Sequence, residues 1–177
     1  MPNTIDRATL KAGLIKAVSD AKAPGAVAYV GGLDQVYLNE ATGARQITPQ
    51  SLPAEVDTIY DLASLTKVIA TTTALLLLNE AGELDLDRPV GDVLPIPAFS
   101  AFTVRHCMTH TSGLVAGLPY YKDCKSVDEM LQRYAQLPLK WAPGSRWLYS
   151  DVGFMILGRI VEIVSRDSLD AFCKRRI

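Results

Sequence analysis

Thr58-Ile59-Tyr60-Asp61-Leu62-Ala63-Ser64-Leu65-Thr66-Lys67, running into the apolar stretch Val68 to Leu78, decides how this chain is read. Residues 58–62 have extended or turning character, whereas Val68 to Leu78 is a sustained helix-compatible run. A serine in the first turn of a helix, with a lysine three residues on, puts hydroxyl and amine on one face, with Cβ atoms about 5–6 Å apart. A lysine desolvated beneath apolar neighbours loses some preference for its charged form and can take the serine proton. The helix N-terminus adds free N–H groups and partial positive charge where an acyl oxyanion would form. Ser64 is therefore the candidate nucleophile and Lys67 its candidate proton acceptor.

The S-x-x-K pattern alone is weak, since about one match is expected by chance in a chain of this length. Ser19-Asp20-Ala21-Lys22 is a second copy. It closes an amphipathic helix predicted over Ile5 to Lys22, striped by Leu10, Leu14, Ile15, Val18 and Ala21, just before Pro24-Gly25. Neither residue there gains a helix N-terminus or a dry pocket. Context selects Ser64.

Outward from this segment, Ala26 to Val30 reads as a strand, Gly31-Gly32 as a turn and Val36 to Ala41 as the returning strand of a hairpin. A loop containing Pro49 and Pro53 leads to the Ser64 helix, which stops near Asn79-Glu80-Ala81-Gly82. Leu84 to Val90 alternates but contains Pro89 and reads as a loop. Helices are predicted over Thr103 to Met108, over Val127 to Gln136 with Ser126 as N-cap, and over Asp151 to Ser165. Two strands alone rarely make a stable sheet, so helices cover the hairpin or its partners lie elsewhere.

At 177 residues, 49% apolar and 21% charged, the chain fits one globular domain with a real core. A net charge of −1 supplies no field for nucleic acid or an anionic membrane. The longest apolar run is too short to span a bilayer. Met1 to Asp6 lacks the basic and apolar regions of a signal peptide, which predicts a cytoplasmic protein, or a periplasmic one if a signal has been removed. Cys107, Cys124 and Cys173 show neither pairing arithmetic nor metal spacing, so no metal and no cofactor is expected.

Tyr149-Ser150-Asp151 is a second candidate group, placed on a turn after Pro143-Gly144 and before an apolar helix. Ser64-Leu65-Thr66-Lys67, His110-Thr111-Ser112-Gly113-Leu114, Pro143-Gly144 and the Tyr149 to Phe154 block, in that order, resemble the penicillin-recognising serine hydrolases. The resemblance is to the branch of class C β-lactamases, D-alanyl-D-alanine carboxypeptidases and lactamase-like esterases. It implies an α/β (α+β) β-lactamase/transpeptidase-like fold: residues 1–60 supply the N-terminal helix and hairpin, and 61–177 a helical lobe within one partial domain. By the same resemblance Ser64 accepts the acyl group, Lys67 and Tyr149 share the proton transfers, and Asp151 binds substrate. The substrate would be a β-lactam, a D-Ala peptide or an ester. Asp151 stands where the family often has Asn, and a carboxylate can accept from Lys67 but cannot donate to a substrate carbonyl.

The resemblance also implies further strands, one carrying a Lys-Thr-Gly or His-x-Gly block that is not found here. The expectation is an incomplete fold with impaired turnover, or a binding remnant of that fold. Its uncovered apolar faces on the hairpin and the Ser64 helix would be hidden by self-association or by a complementary C-terminal chain. Blander roles are expected elsewhere. His110 stabilises a turn, His106 is a surface or helix residue, Asp85 and Asp87 form a solvated turn, and Asp61 caps the Ser64 helix. Trp141 and Trp147 either line the cleft or fill core.

Overall fold

The computed structural model describes residues 6–21 and 23–177 and divides into two compact units, Met1–Asp61 and Leu62–Ile177. In the first, helix α1 (Arg7–Ala21) packs on an antiparallel hairpin of β1 (Gly25–Gly31) and β2 (Val36–Gln46). The register pairs Ala28 with Glu40 and Val30 with Leu38. Glu40 receives Arg7 at 2.9 Å and Lys11 at 2.8 Å from successive turns of α1, and Leu38 is buried. The predicted helix and hairpin are present, with β2 longer than its alternation suggested. The second S-x-x-K copy ends at Lys22, outside the described residues.

A third strand, β3 (Leu52–Pro53), pairs with the end of β2 and corrects the reading of that segment as loop. Pro53 disguised it. A proline is tolerated in an edge strand because its missing N–H faces away from the ladder.

The second unit is built around α5 (Asp151–Ser165). Its residues Val152, Ile156, Leu157, Ile160 and Val161 recur at helical spacing and are fully buried. Against this stripe pack α2 (Thr73–Glu80) through Ala74, Leu75 and Leu78, and α3 (Val104–Met108) through Val104 and Cys107. Leu131 and Tyr134 come from α4 (Val127–Tyr134), and Phe172 from α6 (Leu169–Arg176). Each such aliphatic side chain contributes about 1.5–3 kcal/mol on burial, so this one helix anchors the unit. Helix α6 went unread in the sequence because its charged surface leaves mainly Phe172 as a core anchor. Ser126 caps α4 as predicted, its Oγ accepting from the Glu129 N–H at 3.1 Å. His106 completes a capping box with Thr103 at the start of α3. Asp87 is more than a solvated turn residue, since Arg105 grips both its oxygens at 2.6 and 2.8 Å.

The 110–114 block is zipped to residues 140–151. Gly113 accepts from the Lys140 N–H, Thr111 from Gly144 and His110 from Leu148, at 2.8 to 2.9 Å. Gly113 has φ +80°, and a Cβ there would lie 2.3 Å from the Trp141 carbonyl oxygen. Gly113→Ala therefore meets both a left-handed backbone and a backbone clash. The expected loss is about 2–3 kcal/mol, read from urea unfolding of wild type and variant.

Candidate active site

Ser64 sits on a tight corner. Leu65 N–H donates to Leu62, Thr66 to Ala63 and Lys67 to Ser64, all i to i+3 bonds of 2.9 to 3.1 Å. Ala63, just before the serine, holds φ +45°, a strained value for a residue with a side chain. The corner leaves the Ser64 N–H at the start of a helix, where the first N–H groups have no acceptor within the helix. The helix then runs as a π-helical segment (Lys67–Thr72) before α2. Thr73 Oγ1 donates to the Val68 carbonyl at 3.0 Å across that widened turn. The apolar run predicted helix, but nothing in it announces the π turn.

The three residues expected to cooperate are brought together. Tyr149 OH donates to Ser64 Oγ at 2.9 Å across 85 residues of sequence, and Lys67 Nζ donates to the same oxygen at 3.4 Å. Lys67 also pairs with Asp151 Oδ1 at 2.7 Å, and its ammonium lies 5.1 Å from the Tyr149 ring centroid and 5.7 Å from that of Phe154. A cleft of about 630 Å³ surrounds them, lined by Ser64, Lys67, Val68, His110, Tyr149 and Phe154 among others. Asp151 borders a neighbouring cleft of about 460 Å³ walled by Leu118, Met130 and Met155.

Tyr149 is placed by the N-terminus of α5. Ser150 is the buried N-cap: its Oγ accepts from the Gly153 N–H at 3.1 Å and donates to the Val115 carbonyl at 2.7 Å. Asp151 N–H donates to Ala116 at 2.8 Å. The phenol therefore projects from a segment with little freedom to move.

The electrostatics revise one expectation. Burial does press the Lys67 ammonium toward neutrality, its side chain being 16% exposed, but the Asp151 carboxylate and the Tyr149 phenol outweigh it. The net effect raises Lys67 above an ordinary lysine. Lysine is held charged, the opposite of what desolvation alone predicts. Tyr149 moves the other way and titrates below an ordinary phenol, first through the Ser64 hydroxyl and then through Lys67. Once the phenol proton is gone the bond reverses, and Ser64 donates to the phenolate.

Three contributors were not singled out from sequence. Phe154 forms part of the cleft wall, Ser150 caps the helix beneath Tyr149, and His110 does more than support its own turn. Phe154 is part of the Tyr149 to Phe154 block, but nothing in the sequence assigns it a role of its own. Trp147 is exposed and meets His110 edge-on with centroids 6.0 Å apart, whereas Trp141 stacks under Arg146 at 5.7 Å, outside the cleft lining. Among the described residues no group of three or more His, Cys, Asp or Glu could hold a metal ion, and no helix is long and apolar enough to cross a membrane.

Known proteins share this arrangement of elements. The octameric penicillin-binding protein homologue from Pyrococcus abyssi superposes with a TM-score of 0.83 at 29% identity, over 98% of this chain and 42% of that one. A D-stereospecific amidohydrolase from Streptomyces sp. gives a TM-score of 0.79 at 27% identity, over 98% of this chain and 54% of that one. Esterase EstB of Burkholderia gladioli is 34% identical over 194 aligned residues, 95% of this chain and 49% of EstB. The chain thus spans about half the length of such relatives. The family described as Beta-lactamase matches residues 12–177. With matches in sequence and in fold that each extend over nearly the whole chain, the chain belongs to the Beta-lactamase family.

Proposed function

We propose that this chain carries the nucleophile and the proton-transfer groups of a serine hydrolase that forms an acyl-enzyme on Ser64. The observation that carries the reading is the convergence of Tyr149 OH and Lys67 Nζ on one serine oxygen. Tyr149, depressed below an ordinary phenol, is the base; Lys67, held as a cation, is its electrostatic support. The phenolate takes the Ser64 proton as Oγ attacks the substrate carbonyl carbon. The oxygen of that carbonyl becomes an oxyanion near the Ser64 N–H and the Lys67 charge. Collapse expels the leaving group, which takes the proton back from Tyr149. Water, deprotonated by Tyr149, then releases the acid and regenerates Ser64.

Simple esters are the favoured substrates, with β-lactams and D-Ala peptides the alternatives. The supporting relatives are an esterase, an amidohydrolase and a penicillin-binding protein homologue. A carboxylate at Asp151, already engaged by Lys67, cannot donate to a substrate amide carbonyl, which favours esters. Incubation with a fluorophosphonate ester and with a fluorescent penicillin, followed by peptide mass analysis, tests this. A mass increment on the Ser64 peptide supports the reading, and an unlabelled folded chain refutes it.

Asp151→Asn carries its own expectation. Without the carboxylate, desolvation, already the largest single influence on Lys67, is opposed by Tyr149 alone, and the affinity of the amine for its proton falls. Acylation requires Tyr149 deprotonated and Lys67 protonated, so the rate rises through the first titration and falls through the second. The alkaline limb of the rate should therefore move to lower pH than in the wild type. An unmoved alkaline limb would count against Lys67 acting as the cation.

Self-association is part of the same proposal. Ile69 and Leu76, seven residues apart on the Ser64 helix, are about half exposed, as is Val36 of the hairpin. The octameric state of the Pyrococcus abyssi homologue supports it. Sedimentation velocity at micromolar concentration should show species larger than one chain.

A further inference from the structure

We infer that His110 is a positioning residue for Tyr149, and that it works only as a neutral imidazole with its Nδ1 lone pair free to accept. The inference rests on the reading of Tyr149 as the base. His110 grips the residues on both sides of the tyrosine. Its backbone carbonyl accepts from the Leu148 N–H at 2.9 Å, and its ring Nδ1 accepts from the Ser150 N–H at 3.1 Å. Between those two bonds its ring lies on the Tyr149 ring, with centroids 4.5 Å apart and planes 34° apart. Phe154 also packs against the imidazole, its ring centroid 5.2 Å away.

One residue can present its carbonyl and its ring to the same neighbouring segment because its backbone is left-handed, φ +59°. A side-chain-bearing residue in that region is uncommon and is held there by its surroundings. The Thr111-Ser112-Gly113 backbone that follows is fixed by the 140–144 segment, so the clasp is anchored on the core side. A turn-stabilising histidine would need none of the contacts to residues 148–150.

Nδ1 accepts a backbone N–H, so the ring proton must sit on Nε2. Protonating Nδ1 would abolish that bond and set two donors against each other. The charged and titratable groups facing the ring are Lys67 from the π-helical segment, Tyr149 from the segment before α5, and Asp151 from its first turn. Burial, then the Lys67 charge, disfavour imidazolium, and Asp151 opposes them only in part, leaving His110 below an ordinary histidine. The sign is then fixed: the clasp is intact above that titration and opens as the pH falls through it. Tyr149 loses its placement in acid for a reason separate from its own protonation.

The acid side of the pH profile reads this directly. Each required deprotonation contributes a slope of about one to the logarithm of the rate against pH. Below the titration of Tyr149 the wild-type rate of Ser64 labelling by the fluorophosphonate rises with slope one. Below the lowered His110 titration a second requirement steepens it toward two. His110→Asn tolerates the left-handed backbone, and its Oδ1 reaches as far as Nδ1 and cannot be protonated in this range. It is expected to label within about threefold of wild type near pH 8 and to keep slope one throughout, since it restores the bond to the Ser150 N–H. His110→Phe keeps the ring but not the acceptor, and should slow labelling about tenfold or more, as displacement of a base by part of an ångström does.

A wild-type profile that never steepens, or a His110→Asn profile that does, overturns the inference. Should His110→Phe fail to fold, the wild type still decides. The chain has two histidines, so imidazole nitrogen NMR with His106→Gln for assignment reports the His110 tautomer. An Nε2–H tautomer persisting below the ordinary histidine range supports the clasp, and an Nδ1–H tautomer refutes it. Absence of any Ser64 labelling refutes the hydrolase reading instead, while the NMR tautomer judges His110 on its own.

Discussion

Ser64→Ala leaves a folded chain that no longer reacts with an ester or a fluorophosphonate. The expected loss of acylation is on the order of 10⁶-fold, the scale on which removing a serine nucleophile silences a hydrolase whose remaining groups act as a unit. The loss is chemical, because little of the fold depends on that hydroxyl. Ser64 is exposed, and the bonds that shape its corner are made by backbone atoms. Its stability should stay within about 0.5 kcal/mol of wild type, as for other exposed positions free of packing roles. The variant also tests the electrostatics. Tyr149 loses the first of the influences that lower its titration, so its phenol should return toward the ordinary value while Lys67 remains as partial support. Ultraviolet difference titration across the alkaline range reads that change. Undiminished labelling of Ser64→Ala would place the reactive group elsewhere and remove the basis of the proposed mechanism.

The legible and illegible parts of this site differ for physical reasons. Ser64 and Lys67 stand three residues apart on one helix, so their juxtaposition follows from local geometry that the pattern already contains. Helix α5 was equally plain, because its apolar stripe is written in consecutive residues, although its Ser150 cap was not singled out. Tyr149 is different. Nothing within residues 141–154 says that its hydroxyl will meet an oxygen 85 positions away; only the ordered blocks of the family resemblance suggested it. The sense of the Lys67 shift was misjudged because burial was weighed without its carboxylate. That partner, Asp151, was visible in sequence, but its 2.7 Å approach to Nζ depends on how α5 is seated. His110 was obscured for a related reason: a turn histidine and a clasp histidine look alike until the segment they hold is in place. The π turn and β3 belong to another class, in which a local rule is overridden. A β-branched run ordinarily continues an α-helix or a strand, and proline ordinarily ends a strand.

Tyr149→Phe decides which group moves the proton. Phenylalanine preserves the ring that lies on His110 and the face turned toward Lys67, so packing changes little. What disappears is the hydroxyl 2.9 Å from Ser64 Oγ. Removing a positioned general base costs about 10²–10⁴-fold, and that loss is expected in the acylation rate, with the acid-side dependence on phenol titration gone as well. Lys67→Arg supplies the counter-test. Arginine stays protonated at any accessible pH, so it keeps the positive charge and forfeits any capacity to act as a base. If Tyr149 is the base and Lys67 its electrostatic support, Lys67→Arg should retain far more activity than Tyr149→Phe, within about 10- to 100-fold of wild type given the altered head-group geometry. The reverse ranking, a silent arginine variant beside an active phenylalanine variant, would assign the proton transfer to lysine. Lys67 would then have to surrender its proton beside Asp151, against the pull of a carboxylate 2.7 Å away. On the phenol the balance runs the other way: the Ser64 hydroxyl and Lys67 outweigh burial and the Asp151 charge, so the net effect favours the form that can act.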